Sequence, residues 1–133
     1  MELKSSKTLV DEALKKVKTL SALSVKKLFN ENGCTLIDIR DIRELWEEGT
    51  IQDSVHIPRG MLEFWLDPQS PYYKKEKFSD YKKEMVLFCA AGMRSALAAK
   101  SLNDMGYKNV SHVEGGFGAL KLAGLETISQ KKE

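Results

Sequence analysis

Two cysteines and two histidines are all that this 133-residue chain offers a disulfide framework or a metal cluster. A disulfide-stapled secreted domain of this size carries more, so Cys34 and Cys89 read as free thiols of a reducing compartment. No apolar run approaches the ~20 residues a membrane helix needs. The start, Met1-Glu2-Leu3-Lys4-Ser5-Ser6, lacks the apolar stretch of a signal peptide, and Asp11 and Glu12 weaken a transit-peptide reading. The expected location is the cytoplasm, with no membrane partner. Charge of one sign is also scarce. The net charge is only +2, and lysines alternate with acids in Lys74-Lys75-Glu76-Lys77 and Lys82-Lys83-Glu84. That is a solvated surface rather than the dense basic stripe of a nucleic-acid binder.

What the chain does have is 42% hydrophobic residues, enough for the core of one domain. Leu9, Val10, Ala13, Leu14, Val17 and Leu20 recur at helical spacing and predict an amphipathic N-terminal helix. It either packs on its own domain or meets a partner or second copy. Ser24 is expected to cap a short helix ending near Gly33. Thr35 to Arg40 reads as a strand. Asp41 caps a helix over Ile42 to Glu48, which Gly49 ends, with Arg40/Glu44 and Arg43/Glu47 spaced for ion pairs. Ser54 to Ile57 is a short strand stopped by Pro58, Met61 to Leu66 a turn or two of helix, and Asp67 to Pro71 a loop. Met85 to Cys89 is the next strand. The helix after it, Ser95 to Met105, turns Ala98, Leu102 and Met105 to one face and stops at Gly106. Val110 to Val113 is a strand, Gly115-Gly116 a break and Phe117 to Ala123 a last helix. Residues 127–133 read as a loose polar tail. Strands alternating with helices predict an α/β fold: a central, mostly parallel sheet of about five strands with helices on both faces. The domain is set at residues 23–126, preceded by a helical extension at 1–22.

Cys89 is the most informative residue. It sits on a tight turn between a buried strand and a helix N-terminus, where unpaired N–H groups and the helix dipole favour negative charge. Such a place stabilises a thiolate, the nucleophilic form of the residue. Arg94 adds a fixed positive charge at the far end of the segment Cys89-Ala90-Ala91-Gly92-Met93-Arg94-Ser95. In open α/β sheets ligands bind beyond the C-terminal strand ends. Asp38 with Arg40, Cys89, and Glu114 with Gly115 all fall at such ends.

Four stretches in order carry a family resemblance: Leu36-Ile37-Asp38-Ile39-Arg40-Asp41; Glu48-Gly49-Thr50-Ile51 with Val55-His56-Ile57-Pro58; Cys89 through Ser95; and Glu114-Gly115-Gly116-Phe117. From Leu23 to Gly124 the chain resembles the rhodanese (thiosulfate sulfurtransferase) family in a single-domain form. Thr50 stands where the family commonly has histidine, and Leu120 where it often has tryptophan. The resemblance implies a rhodanese-like fold and covalent sulfur transfer. Cys89 attacks the outer sulfur of a small anion such as thiosulfate and becomes a persulfide. A thiol, cyanide or a sulfur-carrier protein then takes the sulfur. The amides of Ala90, Ala91, Gly92, Met93 and Arg94, with Ser95, would bind the anionic sulfur, and Gly92 permits a backbone angle closed to larger residues. Arg94 would hold the loop and attract the donor, and Arg59 would help steer it. Asp38 and Arg40 would brace the loop. No cofactor or metal is implied. His56 and His112 read as strand residues, and no histidine base is required. Cys34 reads as an apolar filler. Phosphatases on a similar fold use a Cys-x5-Arg loop one residue longer, so the Cys89–Arg94 spacing points to sulfur. Two other roles compete: a protein-to-protein sulfur relay with little activity on thiosulfate, and an inactive scaffold, against which Cys89 and Arg94 argue.

Overall fold

The computed structural model describes residues 2–78 and 83–132; Met1, Lys82 and Glu133 of the stretches named above lie outside them. Among the described residues seven strands and six α-helices follow one another as α1 (Ser6–Leu14), β1 (Lys18–Leu20), α2 (Ala22–Asn30), β2 (Cys34–Asp38), α3 (Ile42–Glu48), β3 (Thr50–Ile51), β4 (Val55–His56), α4 (Leu62–Leu66), β5 (Glu84–Phe88), α5 (Met93–Met105), β6 (Val110–Val113), α6 (Gly116–Leu122) and β7 (Thr127–Ile128). Five strands form one sheet in the order β1-β6-β5-β2-β4, and every pairing in it is parallel. The small β3–β7 pair is antiparallel.

β5 is the keel of the molecule. Met85 and Leu87 join one buried cluster with Ala98, Ala99 and Leu102 of α5 and Leu62 and Leu66 of α4. Val86 and Phe88 point the other way, into a second cluster with Val25 of α2 and Phe117 and Leu120 of α6. This is the period-2 alternation of a strand covered on both faces. Each of the four buried β5 side chains, Met85, Val86, Leu87 and Phe88, contributes roughly 2 kcal/mol of transfer free energy, so the strand that delivers Cys89 is held in register from both sides.

The expected sheet and its flanking helices are present, with local corrections. The N-terminal helix stops at Leu14 rather than running through Val17 and Leu20. Ser5 caps it, accepting a hydrogen bond from the Thr8 N–H at 3.0 Å. Lys18–Leu20 instead pairs with Ser111–Val113 at the sheet edge, a case of tertiary pairing overriding an apolar spacing that also fits a helix. α1 lies on α5, burying Val10 and Ala13 against Ala96. Ser21, not Ser24, caps α2, because its backbone is extended while Ser24 already lies inside the first turn. Asp41 does cap α3, in a reciprocal box with Glu44. The i,i+4 pairs read around it do not form: Arg40 pairs with Asp38, Arg43 with Asp41 and Glu44 with Arg94. Each of these arginines meets a carboxylate held closer by a turn or by tertiary packing. α5 starts at Met93, two residues before Ser95, and Met105 at its end is exposed rather than core-facing. The polar tail opens with a strand, since Thr127 and Ile128 pair with Ile51 and Thr50. Among the described residues no helix is long and apolar enough to cross a membrane.

Candidate active site

Cys89 follows the last residue of β5, and Ala90 to Gly92 turn the chain into α5. Gly92 caps the helix in the left-handed region, at φ 108°. A side chain there would be strained by backbone angle rather than by crowding. The turn brings backbone donors onto the sulfur. Sγ accepts the Gly92 N–H at 3.1 Å and the Ser95 N–H at 3.4 Å, and lies 3.6 Å from Ser95 Oγ. Burial alone would push the thiol up. Hydrogen bonds from the Ser95 hydroxyl and from the amides of Ser95, Gly92 and Ala91 outweigh it and bring the group below its ordinary value. The first turn of a 13-residue helix adds its dipole to the same end. The thiolate form of Cys89 is therefore favoured, although the residue is almost wholly buried at 1% exposure. Ala90, Ala91 and Met93 are exposed around it.

Two devices clamp the loop from below. Gly116, at φ 60°, lies so close that a Cβ on it would meet the carbonyl oxygens of Cys89 at 2.4 Å and Ala90 at 2.6 Å. The Phe117 N–H donates to the Cys89 carbonyl at 2.8 Å. The ring of Phe117 in turn carries the Arg40 guanidinium, 4.0 Å from its centroid. Arg40 is completely buried and reaches both carboxylate oxygens of Asp38, at 3.0 and 2.9 Å, and the Gly49 carbonyl at 2.7 Å. Thr50 donates to Asp38 at 2.7 Å, so the threonine at the histidine position completes the carboxylate's bonding. A buried pair of this kind is costly to break from one side only. Asp38 and Arg40 thus sit under the loop, not in it.

Arg94 lies at the loop end with its guanidinium turned onto Glu44, making bonds of 2.9 and 3.0 Å to the two carboxylate oxygens. Glu44 also accepts from the Asp41 N–H, so α3 and α5 are tied at their first turns. The hydrogen bond from Arg94 holds the Glu44 carboxyl below its ordinary value. Arg59 stands apart from this group. It makes a two-pronged bond to Glu63, both contacts at 2.9 Å, and lines a groove with Leu9, Glu12 and Leu97 between α1 and α5.

The residue that sequence reasoning missed is His112. Its Nδ1 lies 2.9 Å from Ser95 Oγ, and its Nε2 2.9 Å from Thr19 Oγ1 on β1. A histidine does stand near the sulfur, one hydroxyl away. The available signal was a polar pair inside the short strand Val110-Ser111-His112-Val113, since a buried imidazole needs hydrogen-bond partners.

The site is a buried cysteine at a strand–helix turn of a parallel α/β sheet, braced by a Gly-Gly helix start. The family model for the rhodanese-like domain matches residues 21–123, and the chain belongs to that family. It is 32% identical over 97 residues to the mouse thiosulfate sulfurtransferase/rhodanese-like domain-containing protein 3, covering 70% of this chain and 61% of that protein. It is 31% identical to a tRNA uridine(34) hydroxylase of Hamiltonella defensa, covering 73% of this chain but only 26% of the hydroxylase. The chain thus spans less than two thirds of these relatives. A solved structure from Rhodopseudomonas palustris, described as a protein of unknown function and possible tyrosine phosphatase, superposes with a TM-score of 0.88 at 43% identity, covering 96% of this chain and 97% of that one.

Proposed function

We propose that this domain is a sulfurtransferase that moves sulfane sulfur from a small anion such as thiosulfate to a thiophilic acceptor through a persulfide on Cys89. The observation that carries this reading is the sulfur of Cys89, held by the amides of Gly92 and Ser95 at the N-terminus of α5. In the first half-reaction the thiolate attacks the outer sulfur of the donor. A new S–S bond forms at Sγ, the donor's S–S bond breaks, and sulfite leaves with its electron pair. The negative charge passes to the terminal sulfur of the persulfide. Ala90, Ala91 and Gly92 to Ser95 wrap the position this sulfur takes, so their N–H groups stabilise it as an anion nest does. In the second half-reaction cyanide or a thiolate, free or on a sulfur-carrier protein, attacks that terminal sulfur; the Sγ–S bond breaks and the Cys89 thiolate leaves with its electron pair. No proton need move in either step, which suits a pre-formed thiolate and ping-pong turnover. Arg94 supplies positive charge at the rim for the anionic donor while Glu44 fixes its position. Arg59 faces the groove between α1 and α5, whereas Arg94 begins the helix that follows the loop, so Arg94 is the better placed of the two for this. Two unpaired thiols fit a reducing compartment, and we place the activity in the cytoplasm.

The test is intact-mass spectrometry after thiosulfate treatment, comparing wild type with Cys89→Ser. A gain of one sulfur atom in wild type only, removed by cyanide with release of thiocyanate, is the expected result. No gain from thiosulfate but rapid loading from a protein persulfide moves the function to a protein-to-protein relay. The R. palustris neighbour raises a phosphatase reading. The loop from Cys89 to Arg94 is one residue shorter than Cys-x5-Arg, and its arginine faces Glu44. We expect no hydrolysis of a phosphate monoester such as p-nitrophenyl phosphate.

A further inference from the structure

We propose that His112 is a positioning residue for the Cys89 thiolate, acting through the Ser95 hydroxyl and anchored by Thr19 of the N-terminal strand. Four side chains, from the turn after β5 and from α5, β6 and β1, form one line. Cys89 Sγ is 3.6 Å from Ser95 Oγ, Ser95 Oγ is 2.9 Å from His112 Nδ1, and His112 Nε2 is 2.9 Å from Thr19 Oγ1. Ser95 and His112 are both sealed from solvent, while Thr19 reaches the surface.

The chemistry of the line follows from counting protons. Ser95 Oγ carries one hydrogen. A thiolate has none to give, so it is stabilised only if that hydrogen points at the sulfur. His112 then has to donate from Nδ1 to Ser95, which leaves Nε2 as an acceptor for the Thr19 hydroxyl. Every donor in the line faces Cys89. When Cys89 holds its proton the same line reverses: the thiol donates to Ser95, Ser95 to Nδ1, and Nε2–H to Thr19. The thiol arrangement needs a neutral imidazole, because Nδ1 accepts there, and the thiolate arrangement is compatible with one. Burial drives it that way, opposed only in part by Glu114 at the end of the same strand. The neighbours of His112 are uncharged on the other sides: Thr19 from β1, Leu87 from β5 and Ser95 from α5. Near the sulfur the charged group is Arg94, already paired to Glu44. Neutral histidine thus sets the direction of one serine hydroxyl, and through it the acidity of the nucleophile.

The experiment is the pH dependence of Cys89 alkylation by iodoacetamide, followed by intact mass with Cys89→Ser as the blank. It reads thiolate formation without any sulfur donor, so it stands apart from the sulfur-transfer reading, on which the proposal rests only for its consequence in turnover. His112→Phe should make Cys89 about tenfold less acidic, by loss of one oriented bond to a charged atom. His112→Asn, which keeps an N–H near the place of Nδ1, should recover most of that. Thr19→Val should shift the midpoint the same way by about threefold. A merely structural role for His112 predicts lower thermal stability with an unmoved midpoint. A folded His112→Phe that titrates like wild type overturns the proposal, as does an asparagine variant no better than phenylalanine. If His112→Phe does not fold, Thr19→Val decides alone, and an unchanged midpoint there overturns it. Thiosulfate loading is measured in parallel. A shifted midpoint with no loading in any variant would sink thiosulfate as the donor and leave the line intact; loading with an unmoved midpoint would do the reverse.

Discussion

Cys34 opens β2 and Cys89 follows the end of β5, and because these strands are parallel neighbours the two thiols stand at opposite ends of the sheet. In register Cys34 sits beside Glu84, five residues before Cys89, which is about 16 Å along the strand. A disulfide needs Cα atoms within about 7 Å, so Cys34 is no resolving thiol for Cys89 in this fold. Both side chains are nearly sealed, at 3% and 1% exposure. Their acidities nevertheless part. Burial pushes Cys34 up to about 11, with Lys83 and Glu84 adding opposed smaller effects. At Cys89 the same burial is overcome by hydrogen bonds to the sulfur. The lesson is about strand polarity. The C-terminal end of a parallel strand runs into a helix start with donors to spare, and the N-terminal end does not.

The widest split between the two residues should be in sulfur transfer. Cys89→Ser should lower persulfide formation by more than about 10³-fold, while Cys34→Ala should stay within about twofold of wild type; thiocyanate release checks both. Next comes a pair of glycines, one beside each thiol. Gly116→Ala forces a methyl into the carbonyls of Cys89 and Ala90 and should cost about 2–4 kcal/mol in urea unfolding. Gly33→Ala meets mainly the tip of Leu28, at 2.6 Å, and that flexible side chain can move; about 1 kcal/mol or less is expected.

The third test uses pH. Folded Cys34 holds its proton more tightly than the unfolded chain does, so ionisation favours unfolding. Its contribution is whole below the ordinary value of 9.0 and is lost as pH rises through about 11. Wild type should therefore lose roughly 3 kcal/mol across that window, and Cys34→Ala should be flatter there. Cys89 has the opposite sign. Its lowered pKa adds stability above 9.0 that disappears as pH falls through the folded value. The smallest effect concerns Glu44→Gln, which frees the Arg94 guanidinium. Stability should fall by less than about 1 kcal/mol, because the pair is partly exposed. The thiosulfate concentration for half-loading should also fall, by about twofold, as unpaired charge attracts the anion.

The parts of the molecule that carry local signals were readable in the sequence. The apolar run before Cys89 and the helical spacing after Gly92 locate the strand–turn–helix around Cys89, and Asp41 before Ile42 marks a cap. What stayed hidden depends on distant partners. β1 is three residues long and becomes a strand only by pairing with β6. β7 is two residues long and exists through β3. Arg40, Arg43 and Glu44 each had an i,i+4 partner on paper, yet a turn gave Arg43 Asp41, a buried loop gave Arg40 Asp38, and α5 gave Glu44 Arg94. His112 and Ser95 are seventeen residues apart and meet only because α5 crosses back over the sheet. Local chemistry can be read along a chain, whereas the choice among several possible partners is made by tertiary packing.

The edge strand β1 has a practical consequence. The family match begins at residue 21, just after Leu20. A chain trimmed to that boundary keeps all of the nucleophile turn yet strips β6 of its outer neighbour, leaving Val110–Val113 with an open row of backbone donors and acceptors. An uncovered apolar edge invites strands from other molecules. The residues that look most like an appendage supply the edge itself, three residues long and opening on Lys18, and a chain without them is expected to self-associate more readily.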